Sequence, residues 1–162
     1  MSLQPVVRPA TLADASALAS LRYDFRAAIG PPEESEAVFV ARCERWMAQR
    51  LAAGLVWRCW VTEHSGEIVG TIWLQLIEKV PNPVMEPEAH GYVTNFFVRE
   101  PVRGVGLGSA LLAAVMRESE ATQLDAVILW PTPRSRALYE RHGFAVRDDL
   151  LERRPASLPF AP

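Results

Sequence analysis

The sequence predicts a mixed α/β domain in which about four helices flank a central sheet of six to seven strands. Three observations carry this. Apolar residues recur at three- and four-residue spacing in separate stretches, runs rich in β-formers lie between them, and LDAVILW is apolar but for Asp125, as in a strand buried on both faces. The order along the chain is β-α-α-β-β-β-α-β-α-β, with room for one more strand at the end. Long central strands bracketed by helices imply a mixed sheet covered on both sides. No repeat, low-complexity tract or composition shift divides the 162 residues, so a single domain is expected over 1–162.

Each element has a local reason. VVRPAT is a strand that ends at Pro9. Thr11 is placed as a helix N-cap with Asp14 three residues on, close to a capping box. Leu18, Leu21, Phe25 and Ile29 mark one face of a helix running to about Ala28. GPPEES breaks the chain. Phe39, Cys43, Trp46, Met47 and Leu51 mark a second helix, with Gly54 as its C-cap. LVWRCWVTEH and EIVGTIWLQLIEKV read as a hairpin turned at Ser-Gly. PNPVMEPEAH, with three prolines, is a loop, and GYVTNFFV is the next strand. Leu107, Leu111, Leu112 and Val115 give a third helix, PRSRALYERHG a short basic fourth, and FAVRDDLLER one or two final strands.

Bulk properties narrow the functions. A formal net charge of −2 gives no global field that would draw the chain to nucleic acid or to an anionic membrane. The two cysteines, Cys43 and Cys59, have neither CxxC nor partnering histidine spacing, which argues against a disulfide framework and against a metal site. No secretory signal pattern and no apolar run of spanning length is present, so a cytoplasmic protein is expected.

The informative stretch is VREPVRGVGLGSALLAAV, Val98 to Val115. It places Gly104, Gly106 and Gly108 where a helix must begin. A helix start carries unpaired N–H groups and the positive end of the helix dipole, and an oxyanion accepts several of those bonds. Glycine removes the Cβ that would hold such a ligand away and permits the positive φ that turns N–H groups inward. Arg103 adds charge at the entrance. A P-loop would need Gly-Lys-Ser/Thr, and no lysine occurs here. A dinucleotide fingerprint would need GxGxxG, and Ser109 stands at its third glycine.

Arg103-Gly104-Val105-Gly106-Leu107-Gly108 resembles the Arg/Gln-x-x-Gly-x-Gly/Ala motif of the GCN5-related N-acetyltransferase superfamily. VVRPATLADASALASLR is similar to that family's opening strand and helix, and SRALYERHGFAV to its later Tyr and Gly-Phe motif. The resemblance covers the whole chain and implies a mostly antiparallel, twisted mixed sheet. It further implies an enzyme that moves an acetyl group from acetyl-CoA to a primary amine of a small molecule or peptide, by direct attack in a ternary complex, with CoA as product. Proximity supplies much of such a rate enhancement, and a donor near the thioester oxygen stabilises the tetrahedral intermediate.

By the same resemblance, the backbone around Phe97 and Val98 pairs with the pantetheine arm and supplies that donor. The loop from Arg103 to Ser109 holds the pyrophosphate. Tyr139 protonates the departing thiolate. Thr132 stands where relatives often carry an Asn that binds the cofactor arm, and Ser135 and Arg136 follow it. Arg136 and Arg141 either reach the cofactor's phosphates or form a solvated basic face.

Many relatives place a Glu on the strand before the loop, and GYVTNFFV has none. Tyr92, Thr94 and Asn95 then hold a water that relays the proton to Glu86, Glu88 or His90, or the amine arrives deprotonated. Tyr23, Arg26, Trp46 and Trp130 are candidate walls of the acceptor pocket, with buried packing the simpler reading of both tryptophans. Convergence of Glu33, Glu34, Glu86 and Glu88 would indicate a cationic acceptor, and an inward Arg26 a carboxylate. The alternative to an enzyme is a non-catalytic acyl-CoA-binding module on the same fold. Dimers are common in the family, and the tail PASLPFAP offers a segment to pack on a second copy.

Overall fold

The computed structural model describes residues 6–154. Its contacts divide the chain into a larger unit, 1–129, and a smaller one, 130–162.

The larger unit is built on a five-stranded sheet of order β1-β2-β3-β4-β5. The strands are β1 (Val6–Pro9), β2 (Trp57–His64), β3 (Glu67–Glu78), β4 (Ala89–Val98) and β5 (Val127–Ile128). The first four pair antiparallel, and β4 pairs parallel with β5. Ser65 (φ 53°) and Gly66 (φ 82°) both turn through positive φ, the two-residue hairpin geometry expected from the sequence.

Three helices complete the unit: α1 (Ala15–Ala27), α2 (Glu36–Ala53) and α3 (Leu107–Ala121). Asp14 accepts the Thr11 N–H at 2.7 Å and the Thr11 hydroxyl at 3.1 Å, so the N-terminal cap forms as the sequence indicates. Gly54 ends α2 at φ 61°. Ala15, Leu18 and Ala19 of α1 and Met47 of α2 form one core with Cys59, Val61 and Trp73 of the sheet. Residues of opposite parity, Trp60 and Arg58, face α3, where Arg58 meets Glu118 at 3.4 Å. The sheet is thus covered on both sides. Both cysteines are free, and burial pushes both thiols up.

The smaller unit contains α4 (Arg136–Arg141). Two expected strands differ from the structure. LDAVILW yields only the two half-buried residues of β5, because Pro131 and Pro133 follow without ladder donors. FAVRDDLLER forms no strand among the described residues, which lowers the sheet from six or seven strands to five. Arg147 instead closes on Asp149 with bonds of 2.8 and 3.1 Å, a local pairing that favours a turn, and Leu151 stays exposed.

Candidate active site

β4 is paired along its whole length with β3 but with β5 only at Gly91 and Tyr92. From Val93 onward its other edge has no strand partner among the described residues. The β3–β4 register slips between Thr71 and Trp73, because Thr71 faces Phe97 while Trp73 faces Thr94. One extra residue is therefore inserted in β4, and Asn95 there takes φ 49°. The Arg99 N–H donates to Val69 at 2.8 Å, so ladder alternation turns Val98 toward the open edge and Phe97 toward β3. Of the two strand residues expected to meet a cofactor arm, Val98 is the one whose N–H faces outward.

A 3-10 turn, Glu100–Val102, follows, then the glycines. Gly104 (φ 85°) and Gly106 (φ 91°) are both left-handed, and a Cβ at either would meet nothing within 4 Å. Gly108 lies inside the first turn of α3. Gly106 caps the helix without any side-chain bond, and its carbonyl accepts the Ala110 N–H at 3.0 Å. The first-turn N–H groups thus lie outside the helix's own ladder, with exposed Val105, Gly106 and Ser109 around them, while Leu107 is buried and anchors the helix. Such a cradle fits a diphosphate. Arg103 also has a local role: its Nε donates to the Val98 carbonyl at 2.6 Å and its guanidinium lies 5.5 Å from the Phe97 ring centre. It braces the loop against β4.

Helix α1 is fastened to β4 and the residue that follows it by three contacts. Phe25 stacks on Phe97 (5.2 Å, 17°), Asp24 accepts Arg99 at 3.1 Å, and Arg22 Nη1 donates to Asn95 Oδ1 at 3.2 Å. Arg22 was not singled out in the sequence. Its signal was legible there, since it sits four residues after Leu18 and three before Phe25 on the stripe that faces the core.

The remaining candidates separate. In the smaller unit, Thr132 and Ser135 bond each other, Oγ1 to Oγ at 2.9 Å, with the Thr132 N–H donating to Ser135 Oγ at 3.0 Å. Arg136 lies 3.9 Å from Glu140, one turn on. Tyr139 is buried, meets Phe144 edge-on, and has its phenol pushed up to about 12 by that burial, against a Ser135 hydrogen bond that acts to lower it.

In the larger unit, Glu86 is held by Asn82 (2.6 Å) and Lys79 (3.3 Å), which pull it below the usual carboxylate range and weaken it as a base. Glu34 is taken by Arg42 at 2.5 Å. His90 Nδ1 lies 3.7 Å from Asp125. The two tryptophans expected to be buried are not: Trp46 is 38% and Trp130 53% exposed. Trp46 packs on Trp57 and Trp73 at 5.3 and 5.9 Å with Arg50 over its ring, and Trp130 donates to Glu152 at 3.2 Å.

A family model described as "Acetyltransferase (GNAT) family" matches residues 19–144. No curated protein matches. Among solved structures, a predicted acetyltransferase of Clostridium acetobutylicum with acetyl-CoA is similar (TM-score 0.76, 22% identity, 93% of this chain and 96% of that one). So is a GCN5-related N-acetyltransferase of Ralstonia eutropha JMP134 (0.69, 24%, 92% and 97%). A ribosomal-protein-alanine N-acetyltransferase of Brucella melitensis biovar Abortus 2308 shares the fold as well (0.66, 20%, 92% and 99%). With a glycine cradle beside an open strand edge and the family model matched over most of its length, the chain belongs to the acetyltransferase (GNAT) family, whose cosubstrate is acetyl-CoA.

Proposed function

We propose that the chain, as one functional domain over 1–162, catalyses transfer of an acetyl group from acetyl-CoA to a primary amine of a small molecule or peptide by direct attack in a ternary complex. The observation that carries this is the bare start of α3, with Gly104 and Gly106 both at positive φ and open space where side chains would stand. The backbone from Arg103 to Ser109 binds the pyrophosphate there through charge-assisted bonds of about 1.5–3 kcal/mol each. Acetyl-CoA supplies the activated acyl carbon. Val98 offers its outward N–H to the developing oxyanion. Tyr139 gives its phenolic proton to the leaving sulfur as the C–S bond breaks; burial keeps the phenol protonated at neutral pH and also makes it a weaker acid than a free phenol. Thr132, Ser135 and Arg136 steady the cofactor arm. The proton of the attacking amine leaves through water held by Thr94 and Asn95 rather than through Glu86.

Calorimetry with acetyl-CoA and with CoA, paired with thiol release over a panel of amines, tests this. Both ligands bind, at least one amine is turned over, and Tyr139→Phe lowers kcat about a hundred-fold with little change in affinity. Binding without turnover, unaltered in Tyr139→Phe, would indicate the non-catalytic acyl-CoA module. No binding refutes both readings. We place the protein in the cytoplasm, in keeping with the absence, among the described residues, of any helix long and apolar enough to cross a membrane. The proposed homodimer is tested by its mass in solution; the tail 155–162 proposed as its contact lies outside the described residues.

A further inference from the structure

Of the half-buried arginines of the larger unit, some are matched by carboxylates, Arg50 and Arg103 lie over the Trp46 and Phe97 rings, and Arg22 has a neutral amide. Arg8 lies on Asp14 and Glu63, and Arg99 on Asp24. Arg22 makes no ion pair with any described residue. Its one hydrogen bond among the described residues goes to the neutral Asn95 amide at 3.2 Å, and its guanidinium lies 5.4 Å from the Phe25 ring centre. The ionisable groups that act on it are Arg26, Cys43 and Tyr92, none of them a carboxylate. Burial disfavours its charge, and Arg26 one turn on disfavours it further.

The position of this charge matters. Asn95, its partner, is the positive-φ residue of the β4 bulge, just before the edge where Val98 turns outward. Trp73, opposite Thr94 in register on the same face, keeps a buried indole N–H with no acceptor among the described residues. Two donors, the Arg22 guanidinium and the Trp73 indole, thus lie against this stretch of β4. Of the four acids whose convergence would have drawn a cationic acceptor, Glu34 and Glu86 are already tied to Arg42 and Lys79. A half-buried guanidinium without a counter-charge is costly in the empty protein, and its planar fork matches the oxygens of a carboxylate or phosphate.

We propose that Arg22, with Asn95 beside it and Arg26 at the exposed rim, binds an anionic group of the acetyl acceptor, a carboxylate or a phosphate. The acceptor is then an amine that itself carries such a group. This rests on the acetyltransferase reading above.

The test titrates the CoA-loaded protein with the common amino acids and O-phosphoethanolamine, each beside its uncharged counterpart, the amino acid amide or ethanolamine. Thiol release from acetyl-CoA is measured over the same set. At least one anionic member binds about ten-fold or more tighter than its counterpart, an amino acid if the site takes carboxylate and O-phosphoethanolamine if it takes phosphate. Arg22→Gln abolishes that preference and Arg22→Lys retains part of it, with acetyl-CoA affinity reporting whether each variant still folds. Equal binding of charged and uncharged members in the wild type, or binding of neither, overturns the proposal whatever the variants do. So does a preference that survives Arg22→Gln. Selective binding without thiol release leaves the anion site standing and refutes the transferase reading. Thiol release from uncharged acceptors alone does the reverse.

Discussion

Arg8 and Arg22 sit on the same face of one sheet and tie neighbouring elements together, yet they are opposite kinds of charge. Arg8, opposite Val61, reaches Asp14 at 2.7 and 3.0 Å and Glu63 at 2.8 Å, so both ends of its guanidinium are saturated. The pairing raises the Arg8 pKa and holds the buried Asp14 carboxyl down to about 2. Arg22 has one neutral acceptor, and burial pushes its pKa the other way. A charge saturated by the fold belongs to the scaffold. A charge the fold surrounds but leaves unsaturated works against stability, and such a charge persists where a ligand completes it.

The largest expected effect is the difference between two truncations. Arg8→Met leaves Asp14, whose side chain is 8% exposed, without its cation, and destabilises the protein by about 2–3 kcal/mol, since Arg8 itself is partly solvated. Arg22→Met removes a charge that burial already disfavours, keeps an apolar stem against Phe25, and costs less than about 1 kcal/mol. Denaturant unfolding of both reads this directly, and equal losses would break the contrast.

The next effect is a pH dependence. The Asp14 carboxyl is held down to about 2 in the fold, below the ordinary carboxylate value of about 3.9. Its ionised form therefore stabilises the protein fully above about pH 4, and that contribution of about 2 kcal/mol disappears as pH falls toward 2. Subtracting the Arg8→Met curve from that of the wild type isolates it from the other carboxylates. A difference that stays constant from pH 5 to 2 would place the coupling elsewhere.

What the sequence could reveal follows the range of each interaction. The Ser65-Gly66 turn, the Thr11–Asp14 cap, the end of α2 at Gly54 and the bare start of α3 are set within a few residues, and all were legible. The stripe Leu18–Phe25 was legible as a helix face, but Arg22's lack of a partner depends on which strand that face meets. The β4 bulge was hidden because Asn95 looks like any polar strand residue until its register against β3 is known. The aromatic meeting of Trp46, Trp57 and Trp73 joins three elements distant in sequence. FAVRDDLLER has strand-like apolar residues at both ends, and the local Arg147–Asp149 pair prevailed over them. Among the candidate site residues, the glycines were readable by their spacing, whereas the bracing role of Arg103 required the position of the Val98 carbonyl.

Two smaller effects probe the Arg22 side alone. Asn95→Ala puts a Cβ residue at φ 49° without the amide that makes this conformation tolerable, and costs about 1 kcal/mol. Asn95→Gly relaxes the backbone while deleting the same bond to Arg22, so its stability exceeds that of the alanine variant; the reverse order would mean that the positive φ does not strain a side chain at this position. The smallest effect belongs to Arg26. It lies four residues from Arg22 on α1, and like charges at that spacing cost about 0.2–0.5 kcal/mol. Arg26→Gln should therefore stabilise the free protein by about that amount at low salt, with the gain screened away near 1 M. An anionic acceptor reverses the sign of the comparison, because the second guanidinium then faces a negative group and the wild type gains more from the ligand than the variant does. Stability curves of the two proteins that cross on adding the preferred anionic amine would show that this repulsion is relieved by the ligand. Curves that keep the same spacing would confine the repulsion to the helix and leave Arg26 outside the site.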